Sequence, residues 1–303
     1  MSVTIIGPEA EAKLDWLALT DALAAGHALP RAQVGDTLLQ RGDDTLLTRS
    51  AWIDGMGVAV KAATICPGNP KLGLAAVNGA VNLFAERDGT FEALVDFTLV
   101  TKWKTAGDSL LATRHLANPD AELILIVGAG AVALSMVAAY RAVFPNARFQ
   151  IWARNPDAAR AFADLTGAAP APHLQKAVSA AHIIATTTMA TVPLIEGAWL
   201  APGTHLDLIG AYRPDMREAD SACFARARVF VDFRATTLDH IGELMVPLAE
   251  GAITRADVVA DFYDLPSGKF ARRNPDEITL CKNGGGAHLD LMTARYILQA
   301  ANA

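Results

Sequence analysis

The chain has 303 residues, 52% of them apolar and 19% charged, which excludes a disordered chain and allows one large domain or two modest ones. Lys and Arg number 26 against 32 Asp and Glu, a net charge of −6 with no basic block, so no nucleic-acid partner is expected. Cys66, Cys223 and Cys281 are far apart and form no CxxC pair. They read as free thiols of a reducing compartment, with neither a disulfide framework nor a metal cluster implied.

In chain order, the opening "MSVTIIGPEAEAKLDW" has no charged-then-apolar leader pattern, so a cytoplasmic location is expected. A helix is predicted near residues 9–25. Short apolar runs follow, "TLLTRSAWI", residues 56–65 and "AVNLFAERDGTFEALVDF". The last reads as a hairpin turning at Asp88-Gly89, and the whole portion as an antiparallel sheet with one helix. From about residue 120 the pattern changes. Strands are predicted at 123–127, 148–152, 183–186, 204–209, 229–232 and 278–281. Helices are predicted at 131–143 and 157–166, with a closing helix over 288–300. Strands alternating with helices imply a doubly wound parallel sheet, an α/β fold of Rossmann type.

Residues 123–140, "LILIVGAGAVALSMVAAY", contain no charge over eighteen positions, just the length of a membrane span. The β-branched run meets Gly128 and Gly130 and then turns helical, which reads instead as a buried strand, a tight turn and a buried helix. No membrane partner is expected.

The same stretch supplies Gly128-x-Gly130-x-x-Ala133 after a strand and at the opening of a helix. The first glycine makes the turn, the second admits a pyrophosphate, and a small third residue lets helix and strand pack closely. Gly128, Ala129, Gly130, Ala131 and Val132 are therefore candidates to cradle a dinucleotide phosphate at a helix N-terminus. The next strand ends in "IWARNP". Ala153, Arg154 and Asn155 stand where an NAD site wants an acid, and Arg154 can pair with a 2′-phosphate. NADPH is the expected cofactor, with NADH allowed.

Arg49, Lys61 and Lys104 each lie in an otherwise apolar or small stretch, "LLTRSAW", "GVAVKAATI" and "TKWKTAG". Read as cations on half-buried strands, they either snorkel to solvent or face an anion in a cavity; three in one portion favour a carboxylate pocket. His182 and His205, at predicted strand starts, read as structural. His288 stays open.

Taken together, "TRSAW", "VKAATICPGNPKLGL", "LVTKWKTAGDS", "LIVGAGAVA", "IWARNP", "IIATTTMATVPLI", "PGTHLDLIGAYRPDMREAD" and "NGGGAHLDL" resemble the ornithine cyclodeaminase/mu-crystallin family across nearly the whole chain. The resemblance implies a Rossmann domain, residues 109–286, inserted into an α+β substrate-binding and dimerisation domain, residues 1–108 rejoined by 287–303, in a homodimer. It places the family's carboxylate-holding arginine and lysine on Arg49 and Lys61, and a further arginine of an R-T-A motif on Lys104. It sets Thr186, Thr187, Thr188 and Asn283 beside the cofactor. It makes Asp290 either a catalytic acid or merely a first-turn helix residue.

Two positions depart from the cyclodeaminase pattern: lysine in "KTA", and Tyr212 where the deaminases carry an acid–base aspartate. The "RPDMRE" pattern that follows Tyr212 is similar to mu-crystallin, a ketimine reductase, and lysine in "KTA" together with "RPDMRE" is similar to the Δ1-pyrroline-2-carboxylate reductases of the family. The expected activity is reduction of a cyclic imino acid, Δ1-pyrroline-2-carboxylate to proline or its six-membered homologue to pipecolate. Tyr212 would shape the pocket, relay a proton or pack over the nicotinamide. Rival expectations are an ornithine cyclodeaminase, an alanine dehydrogenase, and a ligand-storing protein that keeps its nucleotide site.

Overall fold

A computed structural model describes residues 3–303. Its internal contacts divide the chain into two units, one of residues 1–104 and 286–303, the other of residues 105–285.

The first unit opens with β1 (Thr4–Ile6), a 3-10 turn at Pro8–Lys13, and α1 (Trp16–His27). The single helix expected over 9–25 is thus interrupted. Asp15 breaks it and starts the true helix, accepting the N–H of Ala18 with its carboxylate as an N-cap. Then come β2 (Gln33–Arg41), β3 (Asp44–Ile53), β4 (Gly57–Ile65), β5 (Val77–Phe84) and β6 (Phe91–Asp96). The sheet order is β1-β6-β5-β4-β3-β2, antiparallel except for β1 beside β6. The β5–β6 hairpin turns at Asp88-Gly89, with Gly89 at φ 69°.

Helix α2 (Phe97–Leu116) follows without a break and runs over the division between the units. Lys104 is therefore on a helix, not on a strand as expected. The helix was hidden because its residues are apolar or small on more than one face, leaving no single stripe to read.

In the second unit the chain alternates: β7 (Leu123–Val127), α3 (Ala131–Val143), β8 (Arg148–Trp152), α4 (Pro156–Thr166), β9 (Ala169–Pro170), α5 (Leu174–Ala180), β10 (Ile183–Thr186) and β11 (His205–Leu208). Short helices α6 (Ser221–Arg226), α7 (Arg234–Thr237) and α8 (Gly242–Ala249) then intersperse β12 (Arg228–Val231), β13 (Val258–Ala260) and β14 (Thr279–Lys282). All neighbours in the sheet are parallel, in the order β13-β12-β14-β11-β10-β7-β8-β9. Both faces are covered, so β7, β10 and β11 are buried at every position. The uncharged stretch 123–140 is β7, a turn and α3. No helix among the described residues is long and apolar enough to cross a membrane. The chain progresses outward from β7 to β8 and β9, then returns to place β10 on the other side of β7. Ligands of such sheets bind outside the carboxyl ends of the strands at this reversal. Helix α9 (Ala287–Asn302) returns to the first unit and packs on β3 and β4.

Candidate active site

In the first unit the antiparallel registers set Asp36 opposite Arg49 and Arg49 opposite Lys61. Cross-strand partners share a face, so three charged side chains line up on it. Arg49 donates from Nε and Nη2 to Asp36 Oδ2 at 3.0 and 2.8 Å. Lys61 is buried, and its Nζ donates to Thr101 Oγ1 on α2 and to Asp290 Oδ1 on α9, each at 3.1 Å. Asp290 is 1% exposed, and its Oδ2 has no hydrogen-bond partner among the described residues.

Lys104 lies one helical turn beyond Thr101 on the same face of α2 and makes no ion pair among the described residues. Burial lowers the Lys61 pKa; Asp290 opposes that shift, and the charges of Lys104 and Arg49 add to it. His288, buried at the start of α9, is held well below its ordinary value by burial, then by His27, Lys104 and Arg49, and stays neutral at pH 7. Three cations thus stand near two carboxylates, Asp36 on Arg49 and Asp290 on Lys61, the second with a spare oxygen, an arrangement suited to a small anion with an N–H beside it. Lys102 is different. Two residues along a helix point to opposite sides, and its Nζ meets Glu11 Oε1 at 2.5 Å. Trp103 Nε1 donates to the same Glu11 oxygen at 3.1 Å, and its ring stacks on Trp16 at 3.9 Å.

In the second unit, Gly128 has φ +110°, and a Cβ there would meet Thr187 Oγ1 at 2.6 Å. Only glycine fits this turn. At Gly130 a Cβ would meet nothing within 4 Å, and this residue starts α3 without any side-chain cap. Gly130 and Ala131 are exposed, with Ala129 and Val132 half-buried beside them. Open space before uncapped N–H groups at the start of a thirteen-residue helix fits a phosphate. At the end of β8 no carboxylate follows Trp152. Arg154 is exposed and makes no ion pair among the described residues, and with Arg160 it borders a cavity of about 250 Å³. Asn155 serves α4 as its N-cap, its side chain accepting the N–H of Asp157 at 3.0 Å.

The remaining expected contacts are engaged within the protein. Thr187 Oγ1 donates to Val127 O at 3.2 Å. Thr186 is fully buried and donates to Glu218 Oε2 at 2.8 Å. The Thr188 N–H and hydroxyl both reach Glu218 Oε1, at 2.6 and 2.7 Å. Asn283 is 2% exposed, and its Nδ2 donates to Asp207, which also accepts from Ser109 and Tyr140. Its side chain thus holds the strand ends together. Tyr212 is 56% exposed, with the Arg213 guanidinium 5.6 Å from its ring centre. His205 bonds Thr279, and His182 Nδ1 accepts the N–H groups of Glu122 and Leu123, so both are structural.

Four buried carboxylates do not stand out in the sequence: Asp207 within β11, Asp232 just after β12, Glu218 and Glu243. Glu218 takes the two threonines and also the N–H groups of Gly210 and Ala211, at 2.8 and 3.3 Å. Glu243 accepts the N–H groups of Glu218 and Ala219. Asp232 accepts those of Gly284 and Gly285 in the "NGGG" loop. Burial pushes Asp207 and Asp232 up to about 6, and burial with the charge of Glu218 pushes Glu243 up to about 7. Lys282, fully buried, opposes all three shifts and donates to Leu208 O at 2.9 Å.

Comparison with known proteins follows the same lines. The model of the ornithine cyclodeaminase/mu-crystallin family matches residues 50–303. Over 299 residues the chain is 50% identical to the Δ1-pyrroline-2-carboxylate reductase of Paracoccus denitrificans, covering 95% of this chain and 94% of that protein. It is 31% identical over 292 residues to the reductase of the same name from Colwellia psychrerythraea, covering 93% and 92%. Among solved structures, the Δ1-pyrroline-2-carboxylate reductase of Thermococcus litoralis in complex with NADH and L-proline superposes with a TM-score of 0.88 at 25% identity, covering 99% and 98%. An archaeal alanine dehydrogenase dimer with bound NAD gives 0.89 at 26%, covering 100% and 97%. With the family model matching residues 50–303 and a relative 50% identical over nearly its whole length, the chain belongs to the ornithine cyclodeaminase/mu-crystallin family.

Proposed function

We propose that this chain is a nicotinamide-dependent reductase of cyclic imino acids, converting Δ1-pyrroline-2-carboxylate to proline and accepting the six-membered homologue as a second substrate. The observation that carries this reading is the buried Lys61–Asp290 pair flanked by Arg49 and Lys104, in a chain half identical to a named reductase of that imino acid. Arg49 and Lys104 would hold the substrate carboxylate. Lys61, its pKa lowered by burial, is a ready proton donor to the imine nitrogen. Asp290 Oδ2, buried and unpartnered, would accept the resulting N–H and keep the iminium charged. A bound reduced dinucleotide supplies the hydride. The chain's own share is to fix the acceptor carbon and the proton on nitrogen, which converts an encounter into a positioned step.

NADPH is the favoured donor, because Arg154, which makes no ion pair among the described residues, borders the cavity at the end of β8, where a carboxylate would repel a 2′-phosphate. The enzyme would act as a homodimer. The open edge strand β2 is exposed at all nine residues, including Leu38 and Leu39, and an unprotected apolar edge of this length favours pairing with a second copy. Tyr212 speaks against deamination, being an exposed phenol where that reaction wants a carboxylate. The test is oxidation of NADPH and NADH, side by side, by purified protein with Δ1-pyrroline-2-carboxylate. Turnover with NADPH is expected; no turnover with either, together with ammonia release from ornithine, would sink the reading. Light scattering checks the dimer.

A further inference from the structure

We infer that Glu218 is the positioning residue of the dinucleotide platform, a role that rests on the reductase reading above. Its carboxylate, 0% exposed, joins the ends of two neighbouring strands: Thr186 at the end of β10 and Thr188 after it, Gly210 and Ala211 after β11. These ends lie at the carboxyl side of the sheet beside the glycine turn of β7, where the chain order reverses. The three loops interlock. Gly128 leaves no room for a Cβ against Thr187, and Gly210 leaves none against the Thr188 backbone. The surface bordering the turn is therefore rigid only while Glu218 holds it.

The donor pattern needs an acceptor at both oxygens. Oε1 accepts the Thr188 N–H, and Oε2 accepts the N–H groups of Gly210 and Ala211. Backbone N–H groups cannot reverse their role, so a glutamine, with one oxygen and one NH₂, faces at least one N–H with another donor however it turns. Glu243 fixes the position of this carboxylate from behind by accepting the Glu218 and Ala219 N–H groups.

The experiment is Glu218→Gln, with dissociation constants for NADPH and NADH measured by fluorescence titration below the melting temperature, and kcat and KM for the imine measured separately. At least tenfold weaker dinucleotide binding and a fall in kcat with KM for the imine within twofold are expected. A purely structural role would lower the melting temperature and leave both constants of the folded protein unchanged, and that result overturns the inference. If the glutamine variant does not fold, Thr188→Val removes one bond and keeps the backbone. It should bind NADPH about threefold more weakly, and unchanged binding overturns the inference. Failure of the parent chain to bind either dinucleotide would sink the reductase reading, and this inference with it; normal parent binding matched by Glu218→Gln sinks this inference alone.

Discussion

Arg49 and Lys61 stand directly opposite each other on neighbouring antiparallel strands, two cations in register, and each is balanced by its own acid, Asp36 and Asp290. Like charges in register repel, so the pair is stable only while both acids are present. The two acids are not equivalent. Asp36 is 44% exposed and Asp290 is 1% exposed, so the second is the one whose loss leaves a buried cation with no acid, only the Thr101 hydroxyl.

Asp290→Asn should therefore lower kcat by at least tenfold and lower the Lys61 pKa further, moving the alkaline limb of the kcat profile to lower pH. An unaltered profile would show that Asp290 does not serve Lys61.

Lys104 and Lys102 provide an internal comparison. Removing a charge-assisted bond to a carboxylate costs about 1.5–3 kcal/mol, or roughly 10- to 100-fold, so Lys104→Ala should lose that much in kcat/KM for the imine, mainly through KM. Lys102→Ala breaks only a half-exposed pair with Glu11 and should leave kcat/KM within about twofold and stability within about 0.5 kcal/mol. Equal effects of the two would remove Lys104 from the site.

Arg154→Ala should reduce kcat/KM for NADPH by about 10-fold and leave the NADH value within about twofold, since only the former carries the 2′-phosphate that a guanidinium recognises. A parallel loss with both dinucleotides would place Arg154 elsewhere.

The buried titratable groups make stability depend on pH in two opposite ways. Glu243, raised to about 7 by burial and by Glu218, holds a proton in the folded chain that the unfolded chain releases above about 4.5, so it favours folding increasingly as pH falls through 7. His205, lowered to about 3 by burial and Arg272, refuses a proton that the unfolded chain takes below about 6.5, so it costs stability as pH falls from there. Relative to the parent, Glu243→Gln should show a larger deficit in melting temperature at pH 5.5 than at pH 8. His205→Asn should gain on the parent over the same interval.

Much of the second unit was legible in the sequence, because its central strands, buried on both faces, are continuous apolar runs, and the next strand, 148–152, alternates buried with less buried residues. Residues 123–127, 148–152 and 183–186 are strands at the expected positions. Strand β2 was not legible: all nine of its residues are exposed, so no face alternates with another. Helices α6 and α7, of six and four residues, are too short for a 3.6-residue period. The cations Arg49, Lys61 and Lys104 stood out against apolar neighbours. Glu218 did not, because "RPDMREAD" reads as a solvated charged stretch. Its partners at 186–188 and 210–211 come together only when β10 and β11 pair.

Lys282 has an evolutionary corollary. One lysine tempers Asp207, Asp232 and Glu243, so replacing it alone strands three acids in the interior, while replacing one acid frees the donors it holds, backbone N–H groups at Asp232 and Glu243 and the side chains of Ser109, Tyr140 and Asn283 at Asp207. Single steps away from this arrangement all lead downhill. These four positions should drift together or not at all, so a deep mutational scan should find each intolerant singly, with strongly non-additive doubles.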